Sequence, residues 1–124
     1  MVISGWSICY LVTWNPQTWQ AEVEQALAEM KRALRPGGTL LILETLGTGH
    51  ETPDRPEPWA VYYTLLEETG FFGTWIRTDY QFKSVQEAAE LTGFFFGQEL
   101  ANRVAREKLV ILPECTGIWR LTRL

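Results

Sequence analysis

The chain has 124 residues and is 46% apolar, which predicts one folded domain with a hydrophobic core rather than a disordered chain. Its formal net charge is -4, and no run of lysine or arginine offers a stripe for phosphates, so nucleic acid is not an expected partner. No stretch approaches the ~20 consecutive apolar residues of a membrane span, so no membrane partner is expected either.

The cysteines and the histidine limit the chemistry that the chain can support. Cys9 and Cys115 lie far apart in the sequence, and His50 is the only histidine. This set argues against a metal site with His and Cys ligands, and no metal ligand is predicted. Isolated cysteines are typical of a reducing compartment, and the apolar N terminus lacks the basic flank and cleavage site of a signal peptide. We therefore predict a cytoplasmic protein.

The first third of the sequence predicts a strand, a helix and a second strand. Residues 1–12 are apolar with few charges, which favours a buried strand. Asn-Pro at 15–16 is a typical helix start, and apolar residues at helical spacing continue to Leu34. Pro-Gly-Gly at 36–38 is expected to end this helix with one glycine in the left-handed conformation. The run TLLILETL at 39–46 shows no alternation of apolar and polar residues, which favours a strand covered on both faces, as in a parallel sheet.

The rest of the sequence predicts further helices and strands in alternation. A helix is expected at 58–70, ended by a glycine, and a strand at 74–82. Residues 84–87 match the capping box S-x-x-E at the start of another helix. Three phenylalanines at 94–96 are flanked by glycines, so we expect a break there and rings packed in the core. With a last strand within 109–124, the order β-α-β-α-β-α-β predicts an α/β fold with a largely parallel sheet.

Four passages, taken in chain order, carry a family resemblance. They are MVISGWSICYL (1–11), MKRALRPGGTLLI (30–42), LLEETGF (65–71) and GIWRLTRL (117–124). In this order they resemble four parts of the class I S-adenosylmethionine-dependent methyltransferases: the fourth strand and its turn, the helix–L+PGG–strand passage into the fifth strand, the helix end before the sixth strand, and the antiparallel seventh strand. The resemblance implies a partial Rossmann-like sheet, mostly parallel with an antiparallel last strand, and helices on both faces.

The resemblance covers only the C-terminal half of that family, from the fourth strand onward. The family binds S-adenosylmethionine mainly with a glycine-rich turn after its first strand and an acidic residue that ends its second strand. No G-x-G-x-G pattern occurs in the sequence. The resemblance therefore implies that residues 1–124 form a single truncated methyltransferase-like domain lacking the N-terminal cofactor-binding half, inactive as this chain alone. The alternative is a non-catalytic dimeric remnant, or a protein-interaction module built on the same half-sheet.

The resemblance also assigns candidate cofactor contacts. Gly5, Trp6 and Ser7 correspond to the loop after the fourth strand, which touches cofactor and acceptor in the family. These residues would bind the cofactor only with the missing half supplied. The alternative is a strand end with a buried tryptophan.

Candidate substrate-binding residues follow the second predicted strand, because open α/β sheets bind ligands beyond the carboxyl ends of their strands. His50 and Glu51 lie in that loop, and Tyr63 is a candidate from the helix after it. The alternatives are a solvated loop histidine and a tyrosine packed on a helix face. Glu44, near the end of the same strand, either faces the cleft or caps a backbone group. Catalytic residues and the methyl acceptor stay open.

The predicted partners follow from the first strand. Without a preceding strand, the apolar segment 2–11 would form an unpaired sheet edge, which is a pairing site. We predict a homodimer in which two copies of this edge align across a two-fold axis. A partner chain carrying the missing half is the alternative cover.

Overall fold

The fold is built on a four-stranded sheet and a separate two-stranded ribbon. The structure is a computed structural model that describes all residues 1–124. In chain order the elements are β1 (Val2–Gly5), α1 (Cys9–Trp14), α2 (Trp19–Arg32), β2 (Thr39–Thr48), α3 (Glu57–Glu68), β3 (Phe72–Arg77), β4 (Tyr80–Gln81), α4 (Val85–Phe96), α5 (Gln98–Glu107), β5 (Ile111–Leu112) and β6 (Glu114–Thr122). Helices and strands alternate along most of the chain, and the predicted α/β class is confirmed.

The sheet is mixed rather than mostly parallel. Its strand order is β1-β2-β6-β3, and β4 pairs with β5 in the ribbon. Strands β1 and β2 run parallel, whereas β6 is antiparallel to both β2 and β3. The last strand is thus antiparallel, as predicted. Because β6 lies between β2 and β3, which run in the same direction, β1 and β2 are the only parallel pair of neighbours. The prediction of a mostly parallel sheet is therefore not confirmed.

One face of the sheet carries the main core, and we call it the covered face. Helices α1, α2 and α3 pack on it, and both crossovers that contain them step the same way across the sheet. Right-handed crossovers that step the same way place their helices on the same face. The expectation of helices on both faces is therefore not confirmed for these three helices. The largest fully buried side chains of this core are Trp119, Tyr62, Tyr63, Leu40, Ile42 and Leu66.

The opposite face of the sheet, which we call the open face, is apolar but largely uncovered. The strand register places six apolar side chains on it: Ile3, Leu41, Leu43, Phe72, Ile76 and Ile118. The side chains of Ile3, Phe72 and Ile76 are 57%, 67% and 51% exposed. Along β2, fully buried residues therefore alternate with partly buried ones. The sequence predicted burial on both faces of this strand, but only the covered face is fully buried.

The predicted strand over residues 1–12, and with it the sheet edge at 2–11, is wrong beyond β1. The chain leaves the sheet at Trp6, whose φ of 50° is left-handed, and α1 follows. The backbone N–H of Cys9 donates to Glu44 Oε2 at 3.0 Å. That bond satisfies one of the free N–H groups at the helix start, which favours a helix over a continued strand. The unpaired edge is therefore four residues long.

The turns on either side of α2 show the roles of two predicted glycines and correct the predicted helix cap at Asn15. Asn15 ends α1 instead of starting α2, and its side-chain Nδ2 donates to the Leu11 carbonyl at 3.1 Å. Gly37 has the predicted left-handed conformation, with a φ of 78°, but α2 ends earlier, with Ala33 as its C-cap, so Gly37 forms the turn after the helix rather than the helix end. A Cβ on Gly38 would lie 2.7 Å from Leu34 Cδ1, so this glycine permits a close approach. The Pro-Gly-Gly signal thus combines a left-handed turn with tight packing.

Helices α4 and α5 form a hairpin beside the β4–β5 ribbon. Ser84 Oγ accepts a hydrogen bond from the Glu87 N–H at 3.1 Å, which confirms the predicted cap. Gly97, with a φ of 99°, separates the two helices, so the predicted break is also present. The predicted burial of residues 94–96 is wrong, because their rings are 82%, 66% and 40% exposed. Gly93 of α4 lies against Ala101 of α5, and the rings lie in the last turn of α4. A second, smaller core joins Ala88 and Val104 of the hairpin with Leu112 of β5.

Candidate functional site

A cleft of about 470 Å³ lies at the carboxyl ends of β1 and β2. Its walls come from the β1–α1 turn, the end of β2 and the loop after it, the start of α3, and the end of α4. Because β6 is antiparallel, its first residue, Glu114, also lines the cleft. Open α/β sheets bind ligands in the crevice at the carboxyl ends of their strands. This cleft is therefore the candidate functional site.

Aromatic rings form much of the cleft wall. Tyr10 and Trp59 meet edge to face, with 6.3 Å between their ring centroids. The ring centroids of Tyr80 and Phe96 are 5.6 Å apart. These contacts join rings from α1 and α3 on one side and from β4 and α4 on the other. Such walls hold an apolar ligand body or face a cation with their π systems. The six lining aromatic residues are Trp6, Tyr10, Trp59, Tyr80, Phe95 and Phe96.

Glu44 is a buried carboxylate that lines the cleft, with only 1% of its surface exposed. Its Oε2 accepts hydrogen bonds from the Cys9 N–H at 3.0 Å and the Tyr62 hydroxyl at 2.8 Å, whereas Oε1 has no hydrogen-bond partner. Burial raises the pKa of Glu44, and the bonds from Tyr62 and Cys9 oppose that rise only in part. Burial, reinforced by the Glu44 charge, also raises the pKa of the Cys9 thiol to about 12. Glu44 thus both caps a backbone N–H and faces the cleft.

Glu114 is a second buried carboxylate of the cleft, with 3% of its surface exposed. Its Oε1 accepts a hydrogen bond from Thr45 Oγ1 at 2.6 Å, and its Oε2 has no hydrogen-bond partner. The Glu114 N–H donates to Asp79 Oδ1 at 3.1 Å. Asp79 is held in turn by two bonds from Arg77, at 2.9 and 2.8 Å, which keep the pKa of Asp79 below its usual range. Backbone and side chain of Glu114 are therefore fixed, with one oxygen free to accept.

The charged groups that line the cleft are acidic. They are Glu44, Asp54 and Glu114, and neither lysine nor arginine lines it. His50 Nε2 lies 3.4 Å from Asp54 Oδ2, where both side chains are at least half exposed. This balance favours a positively charged ligand group over an anionic one.

The structure places one residue of the predicted cofactor loop in the cleft. Trp6 lines it and is 50% exposed, so the alternative of a buried tryptophan does not hold. Gly5 and Ser7 flank Trp6 but lie outside the lining. A Cβ on Gly5 would meet no atom within 4 Å, and the space beside the turn is open. The Ser7 hydroxyl shares a 2.9 Å hydrogen bond with that of Ser4, which holds the turn.

Of the three predicted substrate-binding residues, only His50 lines the cleft. Glu51 is exposed outside it. Tyr63 is fully buried, its hydroxyl donates to the Thr45 carbonyl at 2.7 Å, and its ring stacks on Trp119 at 4.6 Å. Tyr63 therefore packs in the core and positions the end of β2 from behind, as the helix-face alternative has it.

Sequence reasoning missed most of the cleft lining. Glu114 carries a usable signal, because the first residue of an antiparallel last strand lies at the same edge as the ends of parallel strands. Trp59 and Tyr80 carry none, since each is one aromatic residue among many. Phe95 and Phe96 were assigned to the core, where apolar rings most often lie. Their role as cleft wall depends on the packing of the α4–α5 hairpin.

No helix of the chain has both the length and the apolar character needed to cross a bilayer. No family model matches the chain, and the search of curated proteins likewise finds no match.

Proposed function

We propose that residues 1–124 form the acceptor-side part of a class I S-adenosylmethionine-dependent methyltransferase with a Rossmann-like sheet, and that methyl transfer takes place in the cleft. The observation that carries the proposal is the strand arrangement around the site. Strands β1 and β2 are parallel neighbours joined by helices, as the resemblance implies for the fourth and fifth strands. The last strand is antiparallel, as implied for the seventh. The cleft opens where the β1 turn and the β2 loop meet.

The cleft residues fit the reacting end of the cofactor. S-adenosylmethionine supplies an electrophilic methyl group on a positively charged sulfonium. A sulfonium suits a cleft with acidic lining and aromatic walls. Trp6 would lie against it, and the open space beside Gly5 leaves room for close approach. The chain offers no glycine-rich turn for the methionine part, so we expect weak binding by these residues alone.

The chain's own residues would contribute to such a transfer mainly by positioning the donor and the acceptor. Aligning donor and acceptor supplies most of the rate enhancement when a reaction needs only an in-line approach. Trp6, Trp59 and Phe96 come from three different elements and enclose the space between them. They would exclude water and fix the acceptor against the methyl group.

The proposal is tested by titrating the chain with S-adenosylhomocysteine and following the six tryptophan indole N–H resonances. Trp6 and Trp59 line the cleft, whereas the other four tryptophans do not. We expect saturable shifts at Trp6 and Trp59, with a Kd of about 1 mM or tighter, and unchanged indoles elsewhere.

A matched pair of variants localises the binding. Trp6→Ala should weaken binding of S-adenosylhomocysteine several-fold, because it removes the ring beside the open space. Trp75→Ala removes a ring of similar exposure, 41% against 50%, outside the cleft, and should leave the affinity unchanged. Uniform shifts of all six indoles, or no shift at several millimolar ligand, would contradict the proposal.

A second candidate function is a protein-interaction module, and the open face favours it. Together with the unpaired edge of β1, this face presents apolar side chains and free backbone groups to a partner. We propose a homodimer in which the β1 edges align, with a chain carrying the missing half as the alternative outcome. The buried free thiols Cys9 and Cys115 agree with a reducing, cytoplasmic setting. The molar mass in solution, measured over a range of concentrations, tests the dimer.

A further inference from the structure

The cleft contains two buried carboxylates, each with one oxygen that no group of the chain satisfies. These are Glu44 Oε1 and Glu114 Oε2, on side chains that are 1% and 3% exposed. We propose that this cleft binds an amine on an apolar body, held as its ammonium by Glu44 and Glu114, and that this amine is the methyl acceptor. Binding of the amine is independent of the proposed function, and only its role as acceptor rests on that function.

The two carboxylates are built to hold a cation. A buried carboxylate is costly unless it is paired, because burial removes its hydration. At Glu44 the chain satisfies only Oε2, through Cys9 and Tyr62. At Glu114 it satisfies only Oε1, through Thr45. An ammonium carries up to three N–H donors, so it has donors enough for a charge-assisted bond to each of these oxygens.

The aromatic walls select the rest of the ligand. Trp59 and Tyr10 line the cleft as one ring pair, and Tyr80 and Phe96 line it as another. Their faces attract a cation, and their area favours an apolar body of the size that a cleft of about 470 Å³ accommodates. The proposed ligand class is therefore an arylalkylamine or a similar amine with an apolar substituent.

The lining argues against other acceptor classes. Carboxylate or phosphate acceptors would meet acidic residues, with no lysine or arginine to pair with them. A metal-assisted acceptor is not favoured, because no three His, Cys, Asp or Glu side chains cluster as ligands. A neutral alcohol donates one hydrogen bond and leaves one buried oxygen unsatisfied.

The transfer balances with these groups. The bound ammonium gives one proton to a free carboxylate oxygen, which leaves a neutral amine with a nitrogen lone pair. That lone pair forms the new N–C bond to the methyl group of the sulfonium donor. The S–C bond breaks with its electron pair going to sulfur, which yields a neutral thioether and an N-methylammonium. The carboxyl proton then passes to solvent, and the site is restored.

Direct binding of a probe tests the inference without any methyl donor. The probe is 2-phenylethylamine, with 2-phenylethanol as the uncharged analogue and phenylacetate as the anionic one. The readout is the Trp6 and Trp59 indole resonances of the full chain near pH 7.5. We expect the amine to shift both resonances and to bind at least about tenfold more tightly than either analogue.

Conservative variants assign the binding to the two carboxylates. Glu44→Gln and Glu114→Gln keep the shape and one acceptor oxygen each, and each should weaken amine binding about tenfold. Affinity for 2-phenylethanol should stay within about twofold, which a general disturbance of the cleft would not allow. Glu24→Gln, on the exposed surface of α2, is the matched control and should change neither affinity. An unchanged Trp119 indole resonance in each variant verifies that the core is intact.

The outcomes separate this inference from the proposed function. Equal affinity for amine and alcohol, or amine binding that survives both Gln variants, would overturn the inference even if S-adenosylhomocysteine binds. Amine binding that depends on both carboxylates, without any binding of S-adenosylhomocysteine, would support an amine site and contradict the methyltransferase. Dependence of amine binding on both carboxylates, together with saturable binding of S-adenosylhomocysteine in the same cleft, supports both.

Discussion

The two faces of the central sheet differ in cover although the same strands build them. On the covered face, Leu40, Ile42 and Trp119 are at most 1% exposed beneath three helices. On the open face, Ile3 and Phe72 are 57% and 67% exposed. Both faces are nonetheless apolar along β2. Apolar character alone therefore predicts that a face needs cover, and the crossovers decide which face receives it from the chain's own helices.

This difference underlies the proposal that the open face is an interaction surface. Large exposed apolar surfaces are uncommon on monomeric proteins and often mark interaction sites. The cleft lies at one edge of the same sheet, between the two faces. In the proposed assembly, the partner would pack on the open face and leave the cleft at this edge.

The largest expected effect comes from truncating neighbouring residues that point to opposite faces. Trp119→Ala removes a fully buried ring stacked on Tyr63 and should lower the free energy of unfolding by about 3–5 kcal/mol. Ile118→Ala, next in sequence on the open face, should cost about 1 kcal/mol because its side chain is half-buried. Urea unfolding of both variants measures the contrast. Equal losses would show that the open face is covered in solution.

The next effect concerns association through the open face and the β1 edge. Ile3→Lys places a charge beside its own copy across the proposed two-fold axis and should raise the dimer Kd by tenfold or more. Ile111→Lys is the control, because Ile111 is 48% exposed but lies on the β4–β5 ribbon. Sedimentation analysis over a concentration series gives both values. A wild-type chain that stays monomeric at about 1 mM would contradict the homodimer and favour a different partner chain.

Much of the fold was predictable because its signals are local. Pro-Gly-Gly at 36–38 and the capping box at 84–87 act through backbone conformation and neighbouring atoms. The left-handed glycine and the capping box are both found, although α2 ends at Arg32, before Pro-Gly-Gly. The strand predicted over 1–12 failed because the signal for α1 is not local. It depends on Glu44, 35 residues away, which accepts the Cys9 N–H. An apolar segment without that contact suits a strand equally well.

A pH experiment compares a buried carboxylate, Glu44, with an exposed one, Asp79. Burial raises the folded-state pKa of Glu44 above the ordinary value of 4.5, so the folded chain holds this proton more tightly than the unfolded chain. Stability should therefore fall as the pH rises from about 4.5 through the raised pKa, and Glu44→Gln should flatten that decline. Thermal unfolding of both chains between pH 4.5 and 8 measures it.

Asp79 provides the control with the opposite sign. Arg77 lowers the pKa of Asp79 from its ordinary 3.8, so its contribution to stability is present above that value and lost as the pH falls below it. Asp79→Asn should therefore leave the slope above pH 4.5 unchanged. A slope that responds to Asp79→Asn and not to Glu44→Gln would contradict the assignment.

The candidate site was predictable in place but not in composition. The rule for carboxyl ends of strands located the edge, and Trp6 and His50 line the cleft as that rule implies. Tyr63 failed because most positions of α3 around it are apolar or aromatic, and only the rotation of the helix shows which rings face the core. Glu114 and the phenylalanines reach the cleft through the last strand and the α4–α5 hairpin, whose placement no local pattern encodes.

The smallest expected effect compares two rings of the same triplet. Phe96 lines the cleft and is 40% exposed, whereas Phe94 is 82% exposed and outside it. Phe96→Leu should weaken 2-phenylethylamine binding about two- to fivefold, since an exposed cation–π contact contributes about 0.5–1 kcal/mol. Phe94→Leu should leave that affinity unchanged, and both variants should unfold within about 1 kcal/mol of wild type, because neither ring belongs to the core. Equal effects of both substitutions on binding would show that the triplet acts as a general apolar surface, and the cleft would then end at Tyr80 rather than at α4.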